Sequence, residues 1–388
     1  MRGFVKNNAM HTAQSVYIHW PFCPYKCSFC PFVAFSGWDR FMFEYHQALQ
    51  SEFKEYKNTL KEKQKIKTLY IGGGTPSTWP VDLLLDTFGT LESMFERQTI
   101  SEITLEVNPG TVTVGKVAAW KQVGITRLSI GVQSLNDGVL QRLGRHQKAD
   151  DVRRLINMVA GQFNSLSIDL IVGLPGVTVE QWKQQVEEIM TWPIQHVSVY
   201  FLSIHEGTGL YFKLQRGKEL LPPDDQVVDL YYWTIEMFKQ YGFLQYEVSS
   251  FAKTGYESQH NQAYWHRKQY KGFGVGAWSF DGTYRFQNEK QLMRYITAAK
   301  DTSVATSYKE RISPAQERFE IIMLGLRTMQ GVTVKQCMQG LTEEKKQQFF
   351  SEVAYLIEQN FLTQVEDVLF LTHKALSVEN EIAVRLAV

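Results

Sequence analysis

Short runs rich in β-branched and aromatic residues recur six times in the first half of the chain, at 16–20, 67–71, 102–107, 127–132, 166–172 and 196–202. Helix-length segments lie between them, around 39–60, 81–96, 114–122, 136–160 and 178–190. Strands alternating with helices predict βαβ units, right-handed crossovers and a parallel sheet. The residues just beyond each strand decide how that sheet closes. The first strand runs into a cysteine loop and the second into Gly72-Gly73-Gly74-Thr75-Pro76. The third ends at Glu106-Val107-Asn108-Pro109 and the fourth at Gly131-Val132-Gln133-Ser134, while the fifth carries Asp169 ahead of Gly173-Leu174-Pro175-Gly176. Polar or glycine-rich chemistry at the carboxyl ends predicts an α/β barrel with one active face. Six units rather than eight predict an incomplete barrel with a side opening.

From 205 to 290 the rhythm weakens. Gly207-Thr208-Gly209, Pro222-Pro223 and the run GFGVGAWSF at 272–280 read as a small α+β extension. From about 312 the pattern turns helical, over 314–329, 333–339 and 343–359, with a short alternating β pair near 362–372. That order resembles a winged helix. The expected organisation is a tail at 1–15, the partial barrel at 16–204, the extension at 205–310 and a mostly helical, winged-helix-like domain at 311–388. A winged helix that grips DNA is basic. Residues 312–388 hold seven Lys and Arg against ten Asp and Glu, so a lid or packing role is expected there.

Composition narrows the function. Across 388 residues, 41 Lys and Arg oppose 40 Asp and Glu, which removes the bulk electrostatic case for nucleic-acid or membrane-surface binding. No apolar run approaches the ~20 residues that span a bilayer. The opening MRGFVKNNAM lacks an apolar h-region, Met10 offers a second start, and a cytoplasmic location is expected. Any contact with membrane proteins would then be transient.

The four cysteines are placed unevenly: Cys23, Cys27 and Cys30 fall within eight residues and Cys337 stands far away. This suits metal or cluster ligation better than a disulfide framework. Cys23-x3-Cys27-x2-Cys30 supplies three thiolates to a [4Fe–4S] cube, leaving one iron open to a small chelator. Pro21, Pro24 and Pro31 stiffen the loop, and Phe22, Tyr25, Phe29 and Phe32 shield it from water. The alternative is a structural zinc site, which needs a fourth ligand in tetrahedral closure. Cys337 is either a further thiol ligand or a buried small hydrophobe.

Tyr17-Ile18-His19-Trp20-Pro21-Phe22, followed by this cysteine spacing, resembles the radical S-adenosylmethionine (SAM) superfamily. Within it, the chain is similar to the branch that contains oxygen-independent coproporphyrinogen III oxidase and the heme chaperones, from about 16 to 330. The resemblance implies an incomplete (β/α)6 radical SAM barrel whose open iron is chelated by the amino and carboxylate groups of SAM. It implies SAM contacts at Tyr17, Phe29, Gly73, Gly74, Thr75, Glu106, Gln133, Arg145 and Asp169. These residue types suit such a ligand, since Arg pairs bidentately with a carboxylate and acidic groups can hold ribose hydroxyls or oppose the sulfonium. If SAM is cleaved, an electron donor is implied as partner.

Two features separate the branches. The oxidase branch carries a further cysteine two residues after the third, where this chain has Phe32, and has a longer segment ahead of its cluster. His260-Asn261-Gln262-Ala263-Tyr264-Trp265 fits HNxxYW, a motif of the heme-chaperone branch. Taken as residues alone, this is either a polar turn with packed aromatics or an iron-ligating imidazole beside two porphyrin-stacking rings. The resemblance favours the second, with heme contacts at His260, Asn261, Tyr264 and Trp265. His205 is either a second heme ligand or an ordinary hydrogen-bonded histidine. The expected function is a carrier of heme to heme-dependent respiratory proteins. The alternatives are oxidative decarboxylation of coproporphyrinogen and another radical SAM modification of a tetrapyrrole.

Overall fold

The computed structural model describes residues 13–301 and 305–388; most of the expected tail, 1–12, lies outside the described residues. All six expected strands form: β1 (Ser15–Trp20), β2 (Thr68–Gly73), β3 (Glu102–Val107), β4 (Arg127–Gln133), β5 (Ser165–Val172) and β6 (His196–Phe201). They pair in sequence order and in parallel. Five helices cover their outer face: α1 (Met42–Thr59), α2 (Val81–Glu92), α3 (Val114–Gln122), α5 (Ala149–Val159) and α6 (Val179–Met190), with the short α4 (Asp137–Arg142) ahead of α5. The single helix expected over 136–160 is thus two. Gly144, at φ +74°, ends α4, and the Gly144 and Arg145 amides close its last turn on Gln141 and Leu140. The break places Arg145 at the barrel mouth.

The sheet does not stop at six strands. Beyond β6, residues after α7 (Gly209–Gln215) and α8 (Asp224–Gln240) add β7 (Leu244–Glu247) and β8 (Ser250–Ala252), with β8 antiparallel to β6. On the other edge, after α9 (Gln259–Trp265), β9 (Tyr270–Phe273) pairs parallel with β1. The antiparallel strands β10 (Trp278–Phe280), β11 (Tyr284–Asn288) and β12 (Thr306–Arg311) come next. One twelve-stranded sheet results, in the order β12-β11-β10-β9-β1-β2-β3-β4-β5-β6-β8-β7.

After α10 (Leu292–Asp301), the helices α11 (Pro314–Arg327), α12 (Val334–Cys337), α13 (Glu343–Glu358) and α14 (Glu379–Leu386) surround a small sheet of β13 (Val332–Thr333), β14 (Leu362–Val365) and β15 (Val368–Leu371). They share a second core with Ile322, Leu326, Phe349 and Leu369. Cys337 is fully buried in that core, packing as a small hydrophobe. Among the described residues no helix is long and apolar enough to cross a membrane.

A buried polar knot ties the extension to the barrel. Glu52 of α1 accepts hydrogen bonds from the Gly274 amide (2.9 Å), the Tyr295 hydroxyl (2.7 Å) and the Asn288 amide (2.8 Å), with the Lys271 ammonium at 3.7 Å. Gly274 sits at φ +98°, and a Cβ there would collide with the Tyr45 hydroxyl and lie 2.8 Å from the His19 carbonyl oxygen. Glu52→Ala would strand a buried lysine and three donors. We expect a loss of about 3–5 kcal/mol, read by urea denaturation, with Glu52→Gln losing less.

Candidate functional site

The site is built from the pleat. Successive residues of a strand face opposite sides. On one face of β1 to β6 lie Val16 and Ile18, Leu69 and Ile71, Leu128 and Ile130, and their equivalents, all buried against the helices. The other face carries Tyr17 and His19, Tyr70, Glu106, Arg127 with Ser129 and Gln133, Asp169, and Ser198 with Tyr200. The barrel interior is therefore polar, and at its mouth it opens into a cavity of about 500 Å³.

Cys23, Cys27 and Cys30 all line this cavity, and each sulfur faces a polar donor. The Thr75 hydroxyl donates to Cys23 Sγ at 3.3 Å, Arg145 Nη1 points to Cys27 Sγ at 3.7 Å, and Lys26 Nζ lies 4.0 Å from Cys30 Sγ. Without a metal, burial pushes the Cys23 thiol up to about 11 and raises Cys30 as well. Loading a metal group must therefore expel protons. Among the described residues no three His, Cys, Asp or Glu side chains converge on one point, as a mononuclear centre requires. Three donor-flanked sulfurs around a cavity suit a larger inorganic group that spreads its thiolates over several irons. Arg145 Nε, on a residue that lines the cavity, is buried without a partner, leaving hydrogen-bonding capacity for a bound ligand.

Eight of the nine residues expected to contact SAM line this cavity: Phe29, Gly73, Gly74, Thr75, Glu106, Gln133, Arg145 and Asp169. Tyr17 lies elsewhere, facing a second cavity and bonding His19 Nδ1 at 3.0 Å. Packing also explains the glycines. A Cβ on Gly73 would come within 2.7 Å of the His19 ring, and one on Gly74 within 2.7 Å of the Pro21 backbone. The triplet lets β2 press against the start of the cysteine loop. Gln133 is held at φ +67° where the β4–β5 register shifts, an uncommon conformation for a non-glycine residue that re-aims its amide into the cavity.

The carboxylates are tuned by burial. Glu106 accepts from the Tyr70 hydroxyl at 2.9 Å and from the Gly73 amide at 3.0 Å, yet burial outweighs both and pushes its carboxyl up to about 7. Asp169, bonded by Ser129 at 2.9 Å, is likewise raised by burial. Tyr25 and Asn108, already marked by the cysteine loop and the third strand end, also line the cavity, as do Lys26, Arg127, Ser129 and Tyr200, which were not expected from motifs. Strict polar–apolar alternation along Arg127-Leu128-Ser129-Ile130 and Ser198-Val199-Tyr200 is the signal that marks three of them.

The HNxxYW residues divide between two spaces. Asn261 lines the first cavity, as does His205. Tyr264 and Trp265 line the second, which measures about 880 Å³ and lies between β1, β9–β11 and α11. His260 lines neither. Its Nδ1 meets the Thr68 hydroxyl at 2.8 Å, its Nε2 meets the Tyr264 hydroxyl at 2.9 Å, and its ring stacks on Tyr70 at 4.9 Å. Both nitrogens are engaged, and burial lowers the imidazole to about 3. Heme ligation by His260 would therefore require breaking one of these bonds.

The profile of the radical SAM superfamily matches residues 17–189. In fold, coproporphyrinogen III oxidase (HemN) from Escherichia coli superimposes with a TM-score of 0.84 at 22% identity, over 97% of this chain and 90% of that one. The heme chaperone HemW of Bacillus subtilis (strain 168) is 31% identical over 373 residues, 95% of this chain and 98% of that protein. The heme chaperone HemW of Haemophilus influenzae is 30% identical, over 91% of this chain and 92% of that protein. The mitochondrial radical S-adenosyl methionine domain-containing protein 1 of Mus musculus is 32% identical, over 83% of this chain and 75% of that protein. The chain belongs to the radical SAM superfamily and, within it, to the HemW family.

Glu106 gives a pH test of the site. Its carboxyl titrates at 4.5 when unfolded and at about 7 when folded. Between these values the folded state binds more proton, so the contribution of Glu106 to stability is complete below 4.5 and is lost as pH rises through 7. Glu106→Gln removes that loss. Relative to the parent, the variant should gain about 3 kcal/mol between pH ~4.5 and ~7.5 in urea titrations, and a flat difference would refute the assignment.

Proposed function

We propose that this chain is a heme chaperone that holds a [4Fe–4S] cluster on Cys23, Cys27 and Cys30, binds SAM beside it, and passes heme to heme-dependent proteins. One observation carries the reading. Beside the cysteine-lined cavity lies a larger aromatic one, separated from it by Pro31, Phe32, Gly73 and Glu106, which line both. Cluster and SAM have one room and a tetrapyrrole has another.

When bound, the cluster and SAM supply one-electron reductive chemistry. The protein's share is positioning. Arg145 is anchored by the Gly131 carbonyl and keeps its Nε unpaired, so it can meet the SAM carboxylate. Gln133 and Asp169 face the same space from β4 and β5, suited to ribose hydroxyls, and Phe29 shields the loop. Tyr264 and Trp265 offer ring faces to heme, while Tyr17 borders that room rather than SAM. His260 acts as a positioning residue that fixes Tyr264 and Tyr70. We place the carrier in the cytoplasm, with an electron donor needed only if SAM is cleaved.

The test uses protein purified and reconstituted anaerobically, then supplied with heme or coproporphyrinogen together with SAM and dithionite. A stable heme spectrum without protoporphyrinogen is expected, and protoporphyrinogen formation would overturn the carrier reading. Cys27→Ser should abolish the four-iron paramagnetic signal of the reduced protein while leaving heme binding intact, because the two rooms are distinct.

A further inference from the structure

The second cavity continues the inner face of the sheet past β1. Parallel pairing sets Tyr17 beside Gly272, and antiparallel pairing carries the same face on through Tyr270, Phe280 and Arg285, and through Trp278 and Gln287. Gly272 leaves no side chain on this floor, and a Cβ there would collide with the Trp278 carbonyl oxygen. The opposite wall is α11, which presents Glu320, Met323 and Leu324 from one helical face. An aromatic floor facing an apolar helix forms a space suited to a flat macrocycle. Its lining holds Arg267, Lys268, Arg285 and Lys290 against Glu106 and Glu320. Lys268 and Lys290 form no ion pair among the described residues. A ligand with two carboxylates matches that excess of positive charge.

Elimination selects the iron ligand. His19 uses both nitrogens, on Tyr17 and on the Val33 carbonyl at 2.8 Å. The Tyr17 hydroxyl is taken by His19 and the Tyr264 hydroxyl by His260. Glu106 is held by Tyr70 and Gly73, and Glu320 by Arg267 and Arg285. Lysine ammonium groups have no lone pair to give. Burial pushes the Tyr270 phenol up to about 12, so it stays protonated and is a poor donor. A thioether needs no deprotonation, and methionine is a known axial ligand of heme iron.

Resting on the heme-carrier reading, we propose that heme lies in this second cavity, against Trp278, with the Met323 sulfur as a ligand to its iron. Met323→Leu keeps the volume and removes the donor, and volume-conserving core swaps of this kind are mild. Full-length protein carrying its reconstituted cluster is titrated with hemin and, separately, with metal-free protoporphyrin IX. In the parent, ferric heme should show the near-infrared sulfur-to-iron charge-transfer band by magnetic circular dichroism. Met323→Leu should abolish that band and weaken hemin binding at least about tenfold, with protoporphyrin IX binding, cluster content and thermal unfolding unchanged. Lys290→Glu should weaken hemin and protoporphyrin IX alike, several-fold. His260→Ala should keep the band.

If Met323→Leu binds hemin with the parent's spectrum and affinity, or if His260→Ala alone removes an axial ligand, this inference is overturned while the carrier reading stands. If the parent protein binds no hemin at all, the carrier reading fails first and this one falls with it.

Discussion

The pleat of a parallel sheet sends alternate side chains to opposite faces, and in this chain the two faces differ chemically. Fully covered parallel sheets usually read as continuous apolar runs. Here Arg127-Leu128-Ser129-Ile130 and Ser198-Val199-Tyr200 alternate strictly. The apolar half packs under α1 to α6 and holds the sheet together. The polar half cannot pack against anything apolar without stranding its donors and acceptors. A closed, side-chain-filled barrel is therefore excluded, and the curved sheet must enclose ligand or water. The cavity follows from the core's own composition.

The cysteine loop depends on how closely β2 approaches the end of β1. The Gly74 amide donates to the Trp20 carbonyl at 2.8 Å, the Phe35 amide to Pro21 at 2.8 Å, and Thr75 to Cys23. These bonds pin the first cysteine to the sheet, whereas Cys27 and Cys30 sit on the partly exposed part of the loop. A cluster bound there would meet one fixed sulfur and two that can adjust. Less entropy is lost than in ordering a free loop, yet the loop retains room to wrap a bulky inorganic group.

The six strands, most of the helices and the grouping of three cysteines on one loop were legible in sequence because each is a local pattern. Local periodicity also missed the break at Gly144, since a single glycine inside an apolar rhythm is tolerated as often as it terminates a helix. The continuation of the sheet through β9 to β12 was not legible. It depends on β9 pairing with β1 across a long stretch of chain, in the Ser15–Tyr270 and Ile18–Phe273 register, and nothing local specifies such a partner. The second cavity was hidden for the same reason. Its walls include Tyr17, Phe32, Trp265, Phe280 and Met323, which only the finished fold assembles.

His260 shows how a motif can be legible while its role is not. Its spacing to Tyr264 is one helical turn, which the sequence displays, but its partner Thr68 lies on a different strand. A neutral imidazole offers one donor and one acceptor on opposite edges, and here both edges are used, linking β2 to α9. The helix start is fixed as well: Glu102 accepts the Gln259 and His260 amides at 2.9 and 3.1 Å, and Ser258 caps Asn261. With α9 locked at both points, Asn261 is held toward the first cavity and Tyr264 and Trp265 toward the second. The motif's chemistry is then that of a strut: a buried histidine, kept uncharged by burial, joins β2 to α9, whose residues reach both cavities.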